Sequence, residues 1–199
     1  MPERIILLTG EVEAPHLSGM LRQHNPSLDV VPAFDKDALL SAVNAGLHGV
    51  RLIAFLTSVI VPKAVLAALE GPAYNFHPGP PEYPGSYVAG FAVYDGARTF
   101  GVTLHEMADK VDTGPIVEVR RFPVPDGAKF QELEIEAFKQ VLQLFADYAP
   151  HMATNDEPLP SGVEPWTGVA RTRAEAERLQ EIEADLSEEE IVRRYRAFG

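Results

Sequence analysis

Short apolar runs alternate with amphipathic segments through the first hundred residues, and that alternation restricts what the chain can fold into. Arg4-Ile5-Ile6-Leu7-Leu8-Thr9-Gly10 is a continuous apolar run ending in glycine, the pattern of a strand buried on both faces. Pro15 to His24 then reads as a helix through Leu17, Met20 and Leu21, and Leu28 to Ala33 as a second strand. Asp35 to Ala45 is helical, with Asp35 as the candidate cap. Arg51 to Leu56 is a third strand, Pro62 to Leu69 a short helix with proline at its first position, and Ala73 to His77 a fourth strand. Repetition of strand and helix argues for a parallel sheet covered on both faces.

Beyond this region Tyr87 to Tyr94 reads as a helix, and Thr99 to Met107 and Ile116 to Phe122 as strands. Phe130 to Tyr148 carries the clearest helical stripe, through Phe130, Leu133, Phe138, Val141, Leu142, Phe145 and Tyr148. Composition changes from Pro150 to Ala170, where Pro158, Pro160, Gly162 and Pro165 mark a linker around Trp166. Thr172-Arg173-Ala174-Glu175 and Ser187-Glu188-Glu189-Glu190 match the helix-opening capping box, so two short polar helices are expected at the end. The expected division is residues 1–150 as one domain and 151–199 as a linker and helical extension. The terminal helices offer a surface for a homodimer or close over the core.

A chain of 199 residues with 46% hydrophobic content supports one substantial core. No apolar run approaches the roughly 20 residues needed to span a bilayer, so no membrane partner is expected. Met1 to Arg4 leads directly into a strand, without the pattern of a cleaved signal. The sequence has no cysteine, which excludes disulfides and thiolate chemistry and fits a cytoplasmic protein. The formal net charge of -12 argues against nucleic acid, whose binders present basic faces to phosphate. Arg120-Arg121, Arg193-Arg194 and Arg196 are too short a set of clusters to reverse that.

Six histidines are scattered along the chain. His16, His24, His48 and His151 suit surface or packing roles. His77, His105 and Asp112 can be combined into a metal triad, but the spacing carries no metal-site signature, and no metal is expected. Gly10-Glu11 lacks the second glycine of a dinucleotide loop, and Glu11 and Glu13 would repel phosphate. Asn75 and His77, two residues apart, share one face of a strand. With Asp112 they supply an amide, an imidazole and a carboxylate, able together to polarise a carbonyl and move a proton. Both the Asn75–His77 strand end and the loop after Thr103–His105 are expected beyond the carboxyl ends of the sheet strands, where ligands bind in such folds.

Asn75-Phe76-His77-Pro78 followed by Tyr83-Pro84-Gly85, then Gly101-Val102-Thr103-Leu104-His105 and Val111-Asp112-Thr113-Gly114-Pro115-Ile116, resembles the formyltransferase family that uses 10-formyltetrahydrofolate. Members formylate glycinamide ribonucleotide, methionyl-tRNA, nucleotide-linked amino sugars or hydroxylated ornithine. The resemblance runs from about residue 4 to 150 and, more weakly, over Asp185 to Phe198. It implies an α/β, Rossmann-like, mostly parallel doubly wound sheet with a short helical C-terminal tail. It also implies a catalytic triad of Asn75, His77 and Asp112, in which Asn75 and a protonated His77 donate to the oxyanion and Asp112 takes part in proton transfer. The folate cosubstrate would be held by Leu56, Thr57, Ser58, Val59 and Ile60 and by Ala108, Val111 and Thr113. Pro80, Tyr83 and Gly85 would shape the acceptor's entrance, and Thr103 and His105 would support the carboxylate beside the substrate.

Departures from the family pattern bear on the acceptor. Pro78-Gly79-Pro80-Pro81-Glu82 replaces the family's usual turn after the histidine. That variant resembles the sugar N-formyltransferases, and in part the formyl-folate domain of a hydrogenase maturation protein. The phosphate-binding glycine loop of the purine enzyme and the C-terminal β-barrel of the tRNA enzyme are both missing from the pattern. The expectation is therefore formyl transfer to a small-molecule amine, a nucleotide-linked amino sugar first, with hydroxyornithine, hydrolysis of the folate, or a non-catalytic folate-binding module as alternatives. Trp166 reads either as an anchor of the tail or as a stacking surface for a nucleotide or sugar.

Overall fold

The computed structural model describes residues 1–199 and contains one six-stranded sheet in the order β2-β1-β3-β4-β5-β6. Its strands are β1 (Arg4–Leu8), β2 (Asp29–Ala33), β3 (Val50–Phe55), β4 (Tyr74–His77), β5 (Thr99–Glu106) and β6 (Ile116–Pro123). Pairings among β1 to β4 are parallel, and β5 and β6 then add antiparallel to the β4 edge. The α/β, mostly parallel reading of the sequence holds.

Period-two alternation explains why both faces are covered. Ile5, Leu7, Ile53, Phe55, Tyr74, Phe76 and Leu104 point to one side, where α1 (Ala14–His24), α4 (Val88–Tyr94) and α5 (Phe130–Thr154) bury them. Ile6, Leu8, Leu52 and Ala54 point to the other, under α2 (Lys36–Asn44) and α3 (Lys63–Ala68). Asp35 caps α2 as its position suggests, accepting from the Ala38 amide at 2.8 Å. Pro62 stands one residue before α3, as its cap residue.

The longest helix differs from its expected extent. It continues past Tyr148 and through Pro150 to Thr154, so the change of composition at Pro150 falls inside a helix. Proline removes one N–H from the ladder, yet the final turn is held from outside. Buried Arg51 donates from Nη1 to the carbonyls of Met152 at 2.9 Å and Asn155 at 2.7 Å, satisfying groups that a helix end leaves without partners.

The tail forms the two expected helices, α6 (Arg173–Gln180) and α7 (Glu188–Phe198). Phe91 of α4 packs with Ala176, Ala197 and Phe198 in a small separate cluster, which seats both on the body. No helix is long and apolar enough to cross a membrane.

Candidate active site

Strand β4 divides its residues between two faces. Tyr74 and Phe76 enter the core under α5, while Asn75 and His77 face the other way. Antiparallel pairing sets Asn75 opposite His105 and His77 opposite Thr103, so four polar side chains share one patch of sheet. All but Asn75 are buried, and Asn75 is half-buried.

Asp112 reaches this patch by a route the sequence reading did not anticipate. Because β5 runs antiparallel, it ends beside Tyr74, where β4 begins. The loop after it therefore leaves at the wrong end of the sheet and folds back over the face. Hydrogen bonds from Met107 N to the Ala73 carbonyl (2.7 Å) and from Glu106 N to the Pro115 carbonyl (2.9 Å) hold that reversal. Gly114 has no room for a β-carbon against the Glu106 carbonyl. At the turn Asp112 adopts φ +48°, a left-handed conformation that an aspartate tolerates better than most residues.

Four neighbours meet the Asp112 carboxylate. Gly85 N donates to Oδ2 at 2.7 Å, and His77 Nδ1 lies 3.4 Å from the same oxygen. His105 Nε2 is 3.3 Å from Oδ1, and the Asn75 amide nitrogen 3.5 Å from it. Burial by itself pushes this carboxyl up; the two imidazoles and the Gly85 N–H outweigh it and hold it at about 2. Asp112 is a carboxylate at any physiological pH.

His77 behaves differently from the protonated donor expected. Burial pushes its imidazole below the ordinary histidine range, further than Asp112 and the Tyr83 carbonyl raise it. Its Nε2 lies 3.0 Å from that carbonyl, so each ring nitrogen faces an oxygen. A neutral ring satisfies one of the two, and a protonated ring satisfies both.

Trp166 closes the patch from outside. Its Nε1 donates to the Gly114 carbonyl at 2.8 Å. The indole meets His105 edge to face at 5.0 Å and His77 at 5.8 Å between ring centroids. The tail is thus anchored here, on top of the two imidazoles.

Beside these groups opens a cavity of about 400 Å³. Thr57, Ser58, Val59 and Ile60 form one wall and Ala108 to Asp112 the opposite one, with Asn75, His77 and His105 between them. Gly85 stands at the rim. Several expected residues lie elsewhere. Leu56, at φ +48°, lines a separate pocket of about 270 Å³ with Pro78, Tyr87, Glu134 and Phe138. Thr113 is exposed and donates to the Lys110 carbonyl. Pro80 is buried, and Tyr83 turns its ring onto Phe100, 6.1 Å between centroids. Thr103 is buried and donates to the Gly79 carbonyl at 2.7 Å, bracing the turn after His77 rather than reaching the cavity.

A family model described as formyl transferase matches residues 17–145, well over half of the chain. The chain belongs to the formyl transferase family. The matched stretch includes Asn75, His77 and Asp112. A methionyl-tRNA formyltransferase of Sorangium cellulosum is 36% identical over 78 residues, 39% of this chain and 25% of that protein. A phosphoribosylglycinamide formyltransferase of Bacillus subtilis is 30% identical over 90 residues, 44% of this chain and 46% of that protein. The chain thus spans less than half the length of these curated relatives. Among solved structures, a sugar N-formyltransferase from a Shewanella species superposes with a TM-score of 0.77 at 14% identity, covering 99% of this chain and 88% of that one. An N-formyltransferase of Helicobacter canadensis, crystallised with folinic acid and dTDP-3-aminofucose, superposes with a TM-score of 0.73 at 16% identity, covering 100% and 81%. At such identities the likeness is one of fold.

The family match stops before a wall that sequence reasoning missed. Ala170, Arg171, Thr172 and Arg173 border the cavity from the tail. Arg171 pairs with Gly85 in an isolated parallel bridge, and Ser86 N donates to the Arg171 carbonyl at 2.9 Å. One local signal pointed there: the Thr172–Glu175 capping box ends the extended segment at the rim.

Proposed function

We propose that this protein transfers a formyl group from 10-formyltetrahydrofolate to a primary amine of a small molecule, a nucleotide-linked amino sugar by preference. The observation carrying this reading is the convergence of Asn75 and His77 on β4 with Asp112 from a distant loop, all lining a cavity with an apolar wall. A reduced pterin is flat and polar at its edges. Val59, Ile60 and Val111 suit its faces, and the backbone of the 57–60 and 108–112 loops suits its edges. The sugar acceptor is favoured by the Pro-Gly-Pro-Pro-Glu turn and by the Helicobacter canadensis relative's complex with an amino sugar nucleotide.

In this reading the amine nitrogen attacks the formyl carbon and the carbonyl electrons move onto oxygen. The Asn75 amide nitrogen lies 3.0 Å from His105 Nε2 and 3.5 Å from Asp112 Oδ1, and in this reading its NH2 donates to the developing oxyanion. His77, neutral at rest, takes the proton released by the attacking amine at Nε2, which exchanges the Tyr83 carbonyl for the amine during the step. Its charged form gains the second hydrogen bond that the neutral ring lacks, and the Asp112 carboxylate stabilises it. Collapse of the intermediate breaks the bond to the folate nitrogen, which receives the proton from His77. One proton has moved from amine to tetrahydrofolate, and no covalent enzyme intermediate forms.

The acceptor approaches from the smaller pocket. Leu56 precedes Thr57 and Pro78 follows His77 in the chain, so the smaller pocket is lined by sequence neighbours of the larger one, with Glu134 available to sugar hydroxyls. Burial raises the Glu134 carboxyl. Incubating the protein with 10-formyltetrahydrofolate and a panel of amines, and following tetrahydrofolate release, tests the proposal. Release accelerated by an amino sugar nucleotide and accompanied by a formylated product is the expected result. Formate release at one rate with or without acceptor would replace transfer by hydrolysis.

A further inference from the structure

We infer that Trp166 is a positioning residue for formyl transfer, holding the His77 and His105 rings and the Asp112 loop in one arrangement. The inference rests on the proposed transferase reading and adds a residue outside the family match, which ends at residue 145.

Three independent contacts carry it. First, the indole packs on both imidazoles, at 69° to His77 and 89° to His105, an edge-to-face geometry favoured by aromatic quadrupoles. Hydrogen bonds hold these rings only at their nitrogens; the indole supplies the lateral wall. Second, its N–H is spent on the Gly114 carbonyl, two residues after Asp112, so the indole ties down the loop that folds back over the sheet. Third, the residues beside it are bound to the 78–86 loop. Thr167 N and Gly168 N both donate to the Pro81 carbonyl, at 3.1 and 3.0 Å, and Gly168 has no space for a β-carbon against the Glu82 carbonyl. Upstream, Gly162 N donates to the Ile116 carbonyl at 2.6 Å. Trp166 and the backbone of the two residues after it therefore join the 107–115 loop, the 78–86 loop and the two imidazoles.

Covering the rings also keeps water from them. The titratable groups facing His77 are Asp112 from the 107–115 loop and His105 from β5; from the 78–86 loop it meets the Tyr83 carbonyl. Removing the indole opens one side of this set to solvent and weakens the burial that holds His77 below its ordinary range.

The test compares wild type with Trp166→Leu, which fills part of the void, and Trp166→Phe, which keeps an aromatic edge. Steady-state kinetics are paired with NMR titration of the histidine rings. Trp166→Leu is expected to lower kcat roughly tenfold to a hundredfold, the scale of a small misplacement of reacting groups. KM for the folate donor should stay within about twofold, since Trp166 does not line the cavity. The His77 midpoint should rise by about half a unit or more, and Trp166→Phe should recover most of both properties. An unchanged kcat in Trp166→Leu, or a Phe variant no better than Leu, would overturn the inference. Should the wild type show no transfer at all, the NMR comparison still decides: identical His77 midpoints in wild type and Trp166→Leu would show that the indole does not govern that ring.

Discussion

Asn75 sits directly opposite His105 across the β4–β5 pairing, with its amide nitrogen 3.0 Å from His105 Nε2. The other ring nitrogen, Nδ1, is 2.8 Å from the Glu106 carbonyl and must carry a proton to bond it. Nε2 lies 3.3 Å from Asp112 Oδ1 as well, so one ring nitrogen faces both the amide and the carboxylate of the site. The Glu106 carbonyl thereby holds the ring that touches both Asn75 and Asp112.

Replacing Asn75 by alanine removes its amide while leaving the strand intact. Loss of one oxyanion donor costs on the order of 10²–10³ in kcat. Folate affinity, measured by calorimetry, should change little. A variant with wild-type turnover would remove Asn75 from the reaction.

Asp112→Asn separates charge from shape. Asparagine tolerates φ +48° and still accepts from Gly85 N, so the loop should keep its path. The negative charge that stabilises a protonated His77 is gone. We expect kcat to fall roughly a hundredfold or more, with the folded fraction and the melting temperature of the loop-bearing core close to wild type by circular dichroism.

Stability should fall as pH drops below the ordinary histidine range. His77 has a folded-state pKa below its unfolded value, so under about pH 6.5 the unfolded chain binds a proton that the folded one refuses. The stability this gives is present above that value and is lost as pH falls toward the folded pKa. Asp112, held at about 2 against an ordinary 3.8, adds a second loss below pH 3.8. Thermal unfolding between pH 8 and 5 should show a steeper fall for wild type than for His77→Gln. Equal slopes would mean that His77 titrates normally.

Arg51→Met tests the anchoring of α5. Arg51 is 6% exposed, and its guanidinium serves carbonyls at the end of that helix and of the residues after it. Methionine leaves the buried Met152 carbonyl and the half-buried Asn155 carbonyl without this donor. Stability measured by chemical denaturation should fall by about 3 kcal/mol.

Much of this was legible in the sequence because it is local. Continuous apolar runs marked β1 and β3, Asp35 and Thr172 marked helix starts, and two-residue spacing put Asn75 and His77 on one face. Each of these follows from the period of an element or the chemistry of a cap, which depend on neighbours within a few residues. The motif around Asp112 could be read as a partner of His77 only through resemblance to a family.

Three-dimensional structure alone decided how that partnership is made. Nothing in Thr99 to Glu106 states that β5 runs antiparallel to β4, yet this obliges the following loop to double back before Asp112 reaches His77. Continuation of α5 through Pro150 depends on Arg51, a hundred positions earlier. The neutrality of His77 depends on how completely the surrounding loops and Trp166 exclude water. Strand direction, capping from a distance and desolvation are properties of segments brought together across the chain, and the free energy of each is settled only when the packing is complete.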